Sequence, residues 1–293
     1  MVRHENEIGG TTDVAQRPEF AARKTRKIID GATVEGWFTE DFSFAELKTL
    51  RAVERLPNLR PNNDSRCPAQ SILSFAEVID LLRGKERETG RTIGIYPETK
   101  HPSYFAALGL PLEQRLLDTL HAGGFHGRDA KVFIQSFEVG NLQRLRRMTE
   151  FRLVQLLGEA DTRPFDLASA GDPRDVAALT TAEGLRAIAA YADAIGPHKA
   201  LIVPRDPNRS LLPPSDLVRN AHAAGLSVHP WTFRSENFFL PQDFRRGDPN
   251  DVNYPAQHGD SGAELEIFLR LGVDGVFADF PDAAIAARKR LQP

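Results

Sequence analysis

Cysteine is almost missing: Cys67 stands alone among 293 residues. One thiol excludes an intrachain disulfide framework and a structural zinc site of four cysteines, and it leaves the compartment open. Long apolar runs are missing too, so no stretch has the length of a membrane-spanning helix. An excess of one charge sign is lacking, because 37 Lys and Arg face 40 Asp and Glu for a formal net charge of −3. That balance argues against a general nucleic-acid binder, which needs a basic surface to set against phosphates. The start of the chain has no apolar segment of signal-peptide type; Arg3, His4, Glu5, Asn6 and Glu7 occupy its place. No G-x-G-x-x-G, Walker loop or H-E-x-x-H is present, which leaves dinucleotide, nucleotide and zincin sites without support.

What is there suits an α/β protein. The hydrophobic share of 41% is enough for a sizeable core. From about residue 90, short apolar or β-branched runs alternate with amphipathic stretches. Six runs read as buried strands: Thr92–Tyr96, Lys131–Ser136, Arg152–Leu157, Lys199–Val203, Leu226–Pro230 and Val273–Ala278. Stretches between them, such as Leu112–Ala122 and Glu183–Ala194, have helical spacing, and the alternation predicts a parallel sheet covered by helices. The S/T-x-x-E pattern at Ser43–Glu46, Ser74–Glu77, Thr180–Glu183 and Ser261–Glu264 predicts helix starts with capping boxes. The first ninety residues differ. Lys27 to Phe38 predicts a hairpin turning at Asp30-Gly31, followed by two short helices on either side of the polar stretch Pro57–Gln70. Residues 16–90 therefore read as an insertion within one larger domain.

Chemistry in parallel α/β folds collects where strands end. Here the strand ends run into Tyr96-Pro97-Glu98-Thr99-Lys100, Gln135-Ser136-Phe137-Glu138, Gly158-Glu159, Trp231-Thr232-Phe233-Arg234 and Asp279-Phe280-Pro281-Asp282. Glu98 and Lys100, two residues apart on extended chain, point the same way. The pair is either an oxygen ligand for a hard divalent cation beside a phosphate-facing ammonium, or a solvated ion pair at a loop mouth. His4 reads by itself as a surface histidine, and His229 either lines a pocket or packs. Gly259-Asp260-Ser261-Gly262 resembles the nucleophile motif of trypsin-like proteases, but that fold is all-β and Ser261 has a predicted capping role.

At these strand ends the sequence resembles the glycerophosphodiester phosphodiesterase family. The resemblance rests on Ile95 to Lys100, Gln135 to Glu138, Val228 to Arg234 and Gly272 to Asp282, with His4 to Ile8 and Thr11 to Ala15 resembling the segment around the family's second catalytic histidine. It is strongest toward the longer periplasmic-type subgroup, which carries an insertion after that histidine. The resemblance implies a (β/α)8 TIM-barrel type fold, with about six of the eight strands in this chain. It implies metal-dependent hydrolysis of small-molecule glycerophosphodiesters to glycerol 3-phosphate and an alcohol, as in glycerophospholipid breakdown. Carried over, His4 is a catalytic histidine, Glu98 a metal ligand for calcium or magnesium, and Lys100 a phosphate-facing cation; Glu138, Trp231 and Phe280 line the substrate. Glu5 stands where the family more usually has aspartate.

The family also carries an earlier H-R-G, with the first histidine and a phosphate-binding arginine, and an E-x-D with two metal carboxylates. Only three residues precede His4, so neither segment is expected within the chain ahead of it, and an N-terminally incomplete, impaired enzyme is the expectation. Periplasmic or secreted placement would follow from a signal peptide further upstream, and cytoplasmic placement otherwise. Two other readings compete: a phosphate-binding remnant of the fold without catalysis, and a related barrel of the phospholipase D-type sphingomyelinases.

Overall fold

Asp30 and Gly31 turn the chain back on itself in the computed structural model, which describes residues 1–63 and 70–292; Cys67 and part of the Pro57–Gln70 stretch lie outside the described residues. Two compact units, residues 1–132 and 133–293, are described separately.

In the first unit, β1 (Thr25–Ile29) and β2 (Ala32–Gly36) pair antiparallel with Ile29 opposite Ala32. The two turn residues both take left-handed φ, 47° at Asp30 and 80° at Gly31. This is the two-residue hairpin turn whose twist matches that of the strands; glycine enters it without a Cβ clash and aspartate tolerates it. Among the described residues four helices follow: α1 (Phe44–Thr49), α2 (Phe75–Thr89), α3 (Pro102–Ala107) and α4 (Glu113–Ala122). Ser43 with Glu46 and Ser74 with Glu77 form complete capping boxes at α1 and α2, as their spacing predicts. Ile8, Val14, Phe20, Phe42, Leu47, Leu50 and Ile72 form one buried cluster with Trp37 against it. The N-terminal segment joins it as an extended chain: Ile8 N donates to the Trp37 carbonyl at 2.8 Å and Thr39 N to the Asn6 carbonyl at 2.9 Å. That pairing sets His4 and Glu5 at a fixed distance along the chain from the hairpin.

The expected strand Thr92–Tyr96 is reduced to a single parallel bridge, Ile95 to Val132. Pro97 follows at once and has no N–H to continue a ladder.

In the second unit, β3 (Phe133–Ser136), β4 (Arg152–Leu157), β5 (Ala194–Pro197) and β6 (Ser227–Val228) form a parallel sheet in sequence order. Helices α5 (Val139–Met148), α6 (Phe165–Ser169), α7 (Val176–Leu179), α8 (Ala182–Ala189), α9 (Leu217–Ala223), α10 (Ser261–Arg270) and α11 (Pro281–Leu291) alternate with the strands or follow them. β4 lies where its pattern predicts. Lys199–Val203 is not a strand, however. The strand is Ala194–Pro197, and Lys199–Leu201 forms a 3-10 turn after it. Ala-Ile-Gly-Pro has weak strand propensity, and full burial overrides it. Gly196 is required there, since a Cβ would stand 2.7 Å from the Leu156 side chain of the neighbouring strand.

Val273–Ala278 likewise shows only one bridge, Ala278 to Phe233, although its chain follows β6 with Asp274 N donating to Val228 O, Phe277 N to Pro230 O and Asp279 N to Phe233 O. Pro230 offers no donor in return, so the ladder stays interrupted. Two caps also move. Thr181, not Thr180, caps α8, and Asp260 caps α10 by accepting from Ala263 N, while Ser261 hydrogen-bonds Ser235. Among the described residues no helix is long and apolar enough to cross a membrane.

Candidate active site

The first unit gathers the sharpest chemistry. Ile95 leaves its bridge as extended chain, so Glu98 and Lys100 project together, and Lys100 Nζ stands 3.7 Å from Glu98 Oε1. Glu5 joins them, with its Oε1 3.6 Å from Lys100 Nζ and 2.8 Å from His4 Nδ1. His4, Glu98 and Lys100, separated by more than ninety residues of sequence, thus belong to one electrostatic cluster. Burial pushes the Glu98 carboxyl above its ordinary range, against the pull of Lys100 and His4. Burial also acts to raise Glu5, but hydrogen bonds from His101 and His4, together with Lys100, hold it well below the usual carboxylate range.

Sequence reasoning passes over His101. It takes a left-handed conformation, φ 51°, and turns the chain into α3 with Pro102 at the first helical position. Its Nδ1 lies 2.6 Å from Asp30 Oδ2 in the hairpin turn and its Nε2 3.1 Å from Glu5 Oε2. A ring with carboxylates at both nitrogens donates from both and is an imidazolium. Burial draws its pKa down, but Asp30 and Glu5 outweigh it and raise the value from 6.5 to about 9. Beside it, Glu40 accepts from Tyr104, from Lys27 Nζ at 3.0 Å and from Asn6 Nδ2 at 3.2 Å, tying the hairpin, α3 and the N-terminal segment together.

A divalent cation can be tested against this donor set. Among the described residues Glu98 Oε1 is buried, lies 3.7 Å from Lys100 Nζ and accepts no hydrogen bond, which suits an oxygen ligand for a hard cation. Both Glu5 oxygens, in contrast, are engaged by histidines. Among the described residues no group of three or more His, Cys, Asp or Glu is arranged to hold a metal, which leaves Glu98 as a single candidate ligand.

The second unit carries Glu138, Trp231 and Phe280. Glu138 is buried at the start of α5, in a loop propped by Gln155, whose Nε2 donates to the Phe137 carbonyl at 2.9 Å and whose Oε1 accepts from Tyr191 at 2.9 Å. The half-buried Trp231 donates through Nε1 to the Gly196 carbonyl at 2.7 Å, with Phe137 and His198 edge-on to its ring at 5.8 and 5.0 Å. Phe280 stands at the start of α11 with His258 at 4.7 Å. The loops after β3, β5 and β6 therefore meet around Trp231. His229 is buried against Phe133, and burial lowers its pKa, which suits the packing role.

Beneath this set lies an ion network that the sequence does not advertise: Lys199 Nζ donates to both Glu264 oxygens at 2.8 and 3.0 Å, and Arg205 donates to Glu264 Oε1 at 2.9 Å. Lys199 and Glu264 are buried.

The sequence profile of the Glycerophosphoryl diester phosphodiesterase family matches residues 1–283. A glycerophosphodiester phosphodiesterase of Arabidopsis thaliana is 33% identical, covering 96% of this chain and 72% of its own. One from Haemophilus influenzae is 26% identical over 100% of this chain and 79% of its own. A solved structure from Silicibacter pomeroyi DSS-3, assigned as a glycerophosphoryl diester phosphodiesterase, superposes with a TM-score of 0.59 at 16% identity, covering 99% of this chain and 78% of its own. At that identity the likeness speaks to the fold alone, and the fold is α/β of the (β/α)8 TIM-barrel type.

Proposed function

The chain belongs to the glycerophosphoryl diester phosphodiesterase family, and from that premise we propose that it serves the metal-dependent hydrolysis of glycerophosphodiesters to glycerol 3-phosphate and an alcohol. The observation that carries this reading is the cluster of His4, Glu5, Glu98 and Lys100, which combines an imidazole, a buried carboxylate oxygen that accepts no hydrogen bond and a cation. Lys100 meets the phosphate as a point charge. His4, with Nδ1 occupied by Glu5, presents Nε2 for proton exchange with a reacting hydroxyl. Glu98 would hold calcium or magnesium, which neutralises phosphate charge when bound. Glu138, Trp231 and Phe280 of the second unit are assigned to substrate binding, with the aromatic rings as apolar lining. Residues 16–90, with the hairpin, α1 and α2, stand between His4 and Glu98 and support the periplasmic-type subgroup.

The family's H-R-G and E-x-D have no match ahead of His4 within these residues. We therefore propose that a polypeptide of residues 1–293 alone turns over slowly, and that one carrying those segments upstream is active. A coupled glycerol 3-phosphate assay with glycerophosphocholine and added calcium or magnesium tests both points. In the longer polypeptide, Glu98→Ala or His4→Ala should lower the rate by roughly 10²-fold or more. Unchanged turnover in either variant would refute the assignment, and full turnover by residues 1–293 would refute the impairment. Binding of inorganic phosphate through Lys100 without hydrolysis at either length would leave the non-catalytic reading.

A further inference from the structure

An exposed histidine beside an exposed carboxylate does not hold one orientation by itself. The His4 and Glu5 side chains are 69% and 40% exposed, and a surface pair of that kind pays side-chain entropy for little attraction. Yet a general acid or base must be held within hydrogen-bond reach of its proton partner in one tautomer. Something else must fix Glu5.

The geometry supplies it. His101 is only 15% exposed in its side chain and reaches Glu5 Oε2 at 3.1 Å, leaving Oε1 to accept from His4 Nδ1 at 2.8 Å. On its far side His101 is held by Asp30 Oδ2 at 2.6 Å. Asp30 in turn is fixed by its left-handed place in the β1–β2 turn, with its second oxygen, Oδ1, buried and unbonded among the described residues. Four side chains thus form a continuous row, Asp30–His101–Glu5–His4, in which each carboxylate sits on an imidazole nitrogen. Lys100, at 3.6 Å from Glu5 Oε1, is too long for a hydrogen bond and holds Glu5 less directionally.

We propose that His101 is a positioning residue: anchored by Asp30 of the hairpin, it fixes Glu5 and through it the ring orientation and tautomer of His4. This inference rests on the phosphodiesterase reading for the role of His4, but not for the row of contacts. It gives the hairpin a place in the chemistry, since the turn at Asp30 reaches His4 through two intermediaries. It also gives Glu5 a role distinct from metal ligation.

The test reads the imidazole nitrogens of His4 by ¹⁵N NMR in the protein of residues 1–293. His4 should carry its neutral-form proton on Nδ1 in the unaltered chain. His101→Gln keeps an amide donor near the place of Nε2, facing Glu5, and should preserve that tautomer. His101→Asn keeps a donor near the place of Nδ1, facing Asp30, but cannot reach Glu5, and should return His4 to the mixture of a free imidazole. Asp30→Asn suits the left-handed turn and removes the anchoring charge, so it should fall between the two. Equal His4 spectra in the Gln and Asn variants, with both folded by circular dichroism, would overturn the proposal; where a His101 variant fails to fold, an Asp30→Asn spectrum identical to that of the unaltered chain would do so. In a polypeptide that turns over glycerophosphocholine, His101→Asn should lower kcat by up to about 10²-fold with KM little changed, and His101→Gln should recover most of it. Coupling without hydrolysis at any length refutes the enzyme reading alone, and hydrolysis without coupling refutes this one alone.

Discussion

His101 shows how one side chain can tie stability to pH. Its two N–H groups face Asp30 and Glu5, and although burial opposes the charge, the carboxylates raise its pKa from 6.5 to about 9. A histidine whose folded pKa lies above its unfolded one contributes stability fully below the unfolded value and loses it as pH rises through the folded one. The expected outcome is a melting temperature that exceeds that of His101→Gln most clearly near pH 6, with the gap closing by roughly pH 9 to 10. A gap constant from pH 6 to 10 would show that the ring is not held as an imidazolium. Little of this was legible in the sequence. His101 follows Lys100 and precedes the Pro102 that opens a helix, which marks a turn; its partners Asp30 and Glu5 lie 71 and 96 residues away, where no local pattern can point. Glu98 and Lys100 were legible because a spacing of two on extended chain fixes their common side without any distant partner.

Elements were readable where local signals agreed and not where tertiary contacts took a signal over. The capping boxes at Ser43 and Ser74 formed with glutamates that reach back to the cap while also pairing with Arg23 and Lys48. The same pattern at Ser261 did not, because Glu264 turns inward to Lys199 and Arg205 and leaves the cap to Asp260. The β5 strand was missed for a related reason: Ala-Ile-Gly-Pro has weak strand propensity and is held in the sheet by burial, with the Leu156 side chain closely approaching Gly196. Lys199, at the exit of β5, meets Glu264 on α10, and this contact pins a strand end that carries the Trp231 environment. Burial lowers the Lys199 pKa while Glu264 opposes that shift. Glu264→Ala would strand the buried ammonium and should cost about 3–5 kcal/mol in urea denaturation. Replacing the pair together, Lys199→Met with Glu264→Leu, should recover a large part of that loss, because the penalty belongs to the unpaired charge rather than to the missing bond. A double variant no more stable than Glu264→Ala would show that the network contributes packing that apolar side chains cannot supply.

Across the whole molecule, order along the chain was the readable quantity. Glu98 and Lys100, then Glu138, then Trp231, then Phe280 follow one another along the sequence, and β3 to β6 lie parallel in sequence order. What order cannot convey is how many ligands converge on one point. Calcium takes six to eight oxygens and magnesium six, and even sites with several carboxylates bind calcium as weakly as 10⁻⁴–10⁻³ M when charge or rigidity is lacking. Here Glu98 Oε1 is buried and unbonded among the described residues, the Glu5 oxygens are committed to His4 and His101, and no group of three or more His, Cys, Asp or Glu is arranged for a metal among those residues. One carboxylate oxygen completed by water should bind in the millimolar range or more weakly. Calorimetric titration of residues 1–293 with calcium and with magnesium should therefore give apparent Kd values of about 1 mM or above. Glu98→Gln should abolish even that binding, whereas Glu5→Gln should leave it nearly unchanged while disturbing the tautomer of His4. Micromolar binding that survives Glu98→Gln would place the ligands elsewhere and remove Glu98 from the metal role.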